Sequence, residues 1–192
     1  MNLRTLSSAA LFALVALLSF SVWAVGASWY STEKGMYALC ALVFLGLGGL
    51  ALLPASGLRG GRAAVGLCLR FALGFAVYAL VWSVSWFTFH DTFGEVIGSF
   101  FGLLGLTAIL KRGTDSPHDL LTATAIVFLW HTLGYYIGGL AYQALQNRGV
   151  LAVELPLEKS TVPTVARFAW GLFYGLGLGF GLAKLLHSAR RS

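Results

Sequence analysis

Few side chains in this 192-residue chain could do chemistry, and His131 comes first among them. It lies inside the run Val127-Phe128-Leu129-Trp130-His131-Thr132-Leu133-Gly134-Tyr135. An imidazole takes up or gives away a proton near neutral pH and is a common metal ligand. In apolar surroundings it also needs hydrogen-bond partners. Helical spacing puts Gly134, Tyr135 and Gly138 on the same face as His131, which turns that face toward protein. Tyr78, Ser99 and Tyr174 belong to other apolar segments at a comparable depth. The set His131, Tyr135, Tyr78, Tyr174 and Ser99 is therefore a candidate ligand-binding or proton-transfer site. The plainer reading is a core histidine satisfied by a tyrosine hydroxyl. No second histidine, cysteine or carboxylate lies at that depth, so neither a metal nor another cofactor is expected.

A second polar set is His90, Asp91, Glu95 and Arg167. Ionisable groups inside a membrane mark functional sites by default. Arg167 begins the four-residue row Gly171, Gly175, Gly179, and Glu95 adjoins the row Gly94, Gly98, Gly102. If those rows pack together, Glu95 and Arg167 meet and pair. The pair is then a structural clasp or an access point for a polar ligand. A third alternative is the centre of an intramembrane enzyme acting on lipid. Arg70, further in, can reach headgroups with its long stem. Enzyme signatures are absent: there is no His-Glu-x-x-His, no Gly-x-Ser-x-Gly and no Cys-x-x-Cys. No catalytic residue is assigned. The run from Gly175 to Gly181 lacks the strand and the Lys-Ser or Lys-Thr of a phosphate loop.

These groups must be positioned by helices in lipid. The chain is 58% hydrophobic and 10% charged, against about 25% charged in soluble domains. A soluble enzyme, a nucleic-acid-binding module, a disordered tail and a disulfide-stapled mini-domain are all disfavoured. Six apolar stretches, 9–30, 36–54, 63–89, 92–110, 119–142 and 162–186, are each long enough for a hydrocarbon core of about 30 Å. The fold class is all-α, a polytopic membrane protein with a six-helix transmembrane bundle forming a single domain over residues 1–192. The first stretch also resembles a signal peptide, with Arg4 before it and Val25-Gly26-Ala27 as a cleavage site. Its length and the even helix count favour a retained helix.

Glycine punctuates the later stretches every fourth residue: Gly94, Gly98 and Gly102; Gly134 and Gly138; Gly171, Gly175 and Gly179. Small residues let helix backbones approach closely in lipid. These rows predict packing faces and a tight half built from the last three segments, with an oligomer seam or a pore as alternatives. Aromatics gather toward the outer side at Trp29, Tyr30, Tyr37, Trp86, Phe87, Phe89 and Tyr142, and read as an interfacial belt. Cys40 and Cys68 fall at opposite depths and are not expected to bridge. Thr114-Asp115-Ser116-Pro117 and Ser160-Thr161-Val162-Pro163 resemble helix starts.

The net charge of +6 reports orientation before anything else. Lysine and arginine mark cytoplasmic loops, and their distribution places both termini in the cytoplasm. That basic face should attract anionic headgroups. The sequence points to a transporter- or channel-like protein of an inner membrane, with lipids and a second copy or a membrane complex as partners and no nucleic acid. The alternatives are an accessory subunit of a larger complex and the lipid enzyme.

Overall fold

A backbone in hydrocarbon must satisfy its own N–H and C=O groups, which helices do within one segment. The computed structural model describes residues 2–112, 118–147, 158 and 160–188, and these form helices and their connections, with no strand among them. The helices are α1 (Leu3–Val25), α2 (Glu33–Ala51), the single turn α3 (Leu53–Ser56), α4 (Gly61–Phe89), α5 (Thr92–Lys111), α6 (Leu120–Gln146) and α7 (Val162–Ser188). Six spans, with α2 and α3 counted together, are long and apolar enough to cross a membrane. The chain has the architecture of a multi-pass membrane protein.

Local sequence sets the helix ends. Four starts are capped by side chains accepting from the backbone: Asn2 from Arg4, Thr32 from Gly35, Asp91 from Gly94 and Asp119 from Thr122. Such caps satisfy N–H groups that the first turn leaves free. Asn2 starts α1 six residues before the expected 9–30, and Gly26 ends it early, followed by a 3-10 turn at Ala27–Trp29. Arg4 thus belongs to the first turn of α1. The second helix stops before Pro54, which instead opens α3. There the buried Ser8 hydroxyl of α1 accepts from Ala55 N–H at 3.0 Å. Gly57, with φ 54°, ends that turn. The expected start at Thr114 to Pro117 lies outside the described residues.

The spans form a ring in chain order. α1 packs on α2, α2 on α4, α4 on α5, α5 on α6 and α6 on α7, and α7 closes onto α1. The α6–α7, α1–α7 and α4–α5 faces are the closest, and α5–α6 is the loosest seam. The last three spans are therefore not one tight half. The glycine rows explain the close faces, although they do not meet one another. A side chain at Gly94, Gly98 or Gly102 would strike α4, and one at Gly171, Gly175 or Gly179 would strike α1. A Cβ at Gly134 would lie 2.4 Å from the Phe173 carbonyl, and one at Gly138 would strike Trp170 of α7. Backbone cannot yield as a side-chain tip can, so these faces admit no Cβ without displacement.

The two ends of the ring differ. Toward the termini its interior is filled by Phe12, Leu67, Phe71, Leu103, Leu106, Leu110, Leu178 and Leu182, none more than 1% exposed. Large apolar residues such as Leu14, Leu18, Leu69, Leu73, Leu80, Leu129 and Leu140 point outward, as lipid-facing surface requires. Cys40 and Cys68 are free thiols. Ser19 Oγ donates to the Cys40 carbonyl at 3.0 Å and Cys40 Sγ donates to the Ser19 carbonyl at 3.4 Å, which ties α1 to α2.

Candidate functional site

His131 is the twelfth residue of α6 and 1% exposed. Its Nε2 lies 3.0 Å from the Tyr78 hydroxyl of α4. The Tyr174 hydroxyl of α7 donates to the Tyr78 oxygen at 3.5 Å. α4 is not a ring neighbour of α6 or α7, so these bonds cross the interior at mid-height. The Tyr135 ring, four residues along α6, stacks on His131 with centroids 5.9 Å apart and an interplanar angle of 20°. The Tyr135 hydroxyl donates to Glu95 Oε1 of α5 at 2.7 Å. Ser99 is buried and borders a small gap at the α5–α6 seam, of about 10 Å³, together with Glu95 and His131. Four helices thus bring together His131, Tyr78, Tyr135, Tyr174, Ser99 and Glu95. His131 Nδ1 has no hydrogen-bond partner among the described residues.

Above this layer, on the side away from the termini, the ring is hollow. A cavity of about 480 Å³ lies between α1, α2, α4, α6 and α7. Its floor is Phe44, Phe75, Tyr78 and Tyr174; its walls include Phe20, Trp23, Tyr37, Trp82, Tyr135 and Trp170. Tyr30 and the exposed Glu33, at the α1–α2 connection, mark its mouth. Of eighteen described lining residues, eleven are aromatic, so rings dominate the surface. Ser19, Cys40, Ser83 and the tyrosine hydroxyls are the polar points. Glu33 is the one carboxylate, and no lysine, arginine or histidine lines the cavity among the described residues. The cavity stops at the tyrosines. His131 lies behind them and does not reach its surface.

The second polar set does not gather. His90 caps the end of α4 in the left-handed conformation at φ 54°, its N–H on the Trp86 carbonyl at 2.8 Å. Asp91 caps α5 through Gly94 N–H at 2.8 Å. Arg167 Nη1 donates to the Trp23 carbonyl at 2.9 Å, and its guanidinium lies 5.0 Å from the Trp23 ring. Glu95 and Arg167 therefore do not pair. Their helices α5 and α7 are parallel but separated in the ring by α6, and each charge has found another partner. The cavity is not evident from the sequence, because two of its aromatic residues read as part of a belt and the others share no spacing that marks a common space. Tyr30 and Tyr37 line it, whereas Trp29 and Phe89 are 60% and 49% exposed and suit an outer position. The packing of Trp23 between Tyr142 and Trp170 left no periodic signal in the chain.

No group of three or more metal-ligating side chains occurs among the described residues. Compared with known protein families, with curated proteins and with solved structures, the chain matches none.

Proposed function

We propose that this is a small transporter-like protein whose cavity receives a ligand from the side opposite the termini. The observation that carries the reading is the hollow itself. A volume of about 480 Å³ falls in the range of roughly 300–1,000 Å³ used by small-molecule sites, and a few polar groups, Tyr78 and Tyr174 at its floor among them, punctuate an aromatic lining. An accessory subunit needs no such hollow. An enzyme acting on lipid beside Glu95 would need a groove there, and the gap at that seam is about 10 Å³. The cavity is built within one chain, so a second copy is not required to complete it.

The membrane is read as a bacterial-type inner membrane with both termini in the cytoplasm. Seven described basic residues, Arg4, Arg59, Arg62, Arg70, Lys111, Arg112 and Lys184, belong to the end carrying the termini; Lys34 and Arg167 belong to the other. That asymmetry follows the positive-inside rule. In this arrangement the mouth opens outward, and the filled half blocks passage to the cytoplasm. His131, linked to the floor through Tyr78, is positioned to sense whether the floor is occupied.

The two native cysteines supply the test. Cys40 lines the cavity and Cys68 does not. A charged maleimide added outside sealed, oriented vesicles should modify Cys40 in a Cys68→Ala background, and Ala79→Phe should block the reaction. A Cys40 that stays unmodified from the outer side sinks the proposal.

A further inference from the structure

The cavity reading leaves the ligand open, and the lining narrows it. We propose, resting on that reading, that the cavity binds a small organic cation with an apolar body, its charge held against aromatic faces and balanced by Glu33. A cation over the face of an indole, phenol or phenyl ring is attracted by the ring quadrupole, most strongly where water is excluded. Trp82, Trp170, Tyr37, Phe44 and Phe75 bring such rings around one space from α2, α4 and α7. They are held as an array: Tyr37 meets Trp82 edge-on at 5.6 Å between centroids, and Phe44 stacks on Phe75 at 4.9 Å.

Charge points the same way. Glu33 is the only carboxylate on the lining, and no basic side chain lies there among the described residues. An anion would meet ring faces and a carboxylate of its own sign, with no cation to answer it. The protein also seats its own cations on rings at this end. Arg167 lies 5.0 Å from the Trp23 ring and Lys34 5.3 Å from Phe87, and neither basic residue lines the cavity.

Three probes of similar size separate charge from bulk: benzyltrimethylammonium, its uncharged carbon isostere neopentylbenzene, and the anion toluenesulfonate. Binding is measured by calorimetry to the full-length protein in lipid nanodiscs, with empty nanodiscs subtracted. The ammonium should bind saturably, at least about tenfold more tightly than the sulfonate. Trp82→Leu keeps apolar bulk but removes a ring face. It should weaken the ammonium several-fold and leave neopentylbenzene unchanged. Glu33→Gln should weaken the ammonium and make its binding less sensitive to salt. A sulfonate that binds as well as the ammonium overturns the cation assignment, as does an ammonium indifferent to both variants; in either case the cavity reading survives if Ala79→Phe abolishes binding. Failure of all three probes to bind with any dependence on Ala79→Phe overturns both.

Discussion

The two ends of the ring are made from the same helices yet behave as different materials. Toward the termini, leucine and phenylalanine fill the interior, and Phe71, Leu103, Leu106 and Leu182 are fully buried. Away from the termini, larger aromatic rings stand around a hollow of about 480 Å³. In lipid, apolar surface gains little by leaving the acyl chains, so packing contact is what holds helices together. The filled end supplies that contact and closes the ring. The hollow end gives some of it up. Space retained where packing is the main source of cohesion argues that the space has a use.

Four substitution experiments probe that contrast. The largest effect belongs to a glycine on a closed face. Gly134→Val would place its Cβ 2.4 Å from the Phe173 carbonyl, and folded monomer should be lost from size-exclusion profiles. Gly139→Val, whose nearest neighbour is 3.9 Å away, should be recovered normally. Next is one change made at both ends. Ala123→Phe enters the filled half, where Ala123 is 1% exposed. It should cost about 1–3 kcal/mol, as overpacking does, read as a fall in melting temperature in detergent. Ala79→Phe enters the hollow and should leave the melting temperature unchanged or raised while closing the cavity. Equal losses from both would erase the distinction between the ends.

The layer between them comes third. Tyr78→Phe deprives both His131 Nε2 and the Tyr174 hydroxyl of their partner, and should cost about 1–3 kcal/mol as buried polar groups are left unsatisfied. Tyr174→Phe removes only the 3.5 Å contact and should cost less; the order of the two melting temperatures checks it. The smallest effect is at a helix start outside the membrane. Hydrogen bonds from the Thr122 backbone N–H and hydroxyl hold the Asp119 carboxyl below its usual pKa. A depressed folded-state pKa stabilises above the unfolded value, and that contribution is lost as pH falls through the folded one. Asp119→Ala should therefore lower the melting temperature slightly at neutral pH, with the difference shrinking in acid.

Much of the architecture was legible in the residues. Apolar runs gave the six spans, because a helix in lipid needs length and little else. The spacing of Gly134 and Gly138 marked a face that cannot take side chains. The sequence sets His131 inside the bundle at the depth of Tyr78 and Tyr174, and the three do meet. Neighbourhood is what the residues do not encode legibly. Periodicity says that the faces of Gly94 and Gly171 are flat, but not that α4 covers one and α1 the other. The expected pair of Glu95 and Arg167 failed for that reason. The cavity was less legible still, because a hollow is defined by atoms that are missing, and Tyr37 carries the same letter whether it faces headgroups or a void.

The ring also has an order of assembly. Each span from α1 to α6 finds its next neighbour in the segment synthesised just after it, but the outer face of α1 finds its partner only when α7 arrives. Without α7 the other five spans would leave the ring open, and Ala9, Ala13 and Ala16 would lack the helix that covers them. The chamber comes into being in a single late act, when the final helix shuts against the first, and a polypeptide stopped short of Val162 would have the rings for a vessel but no vessel.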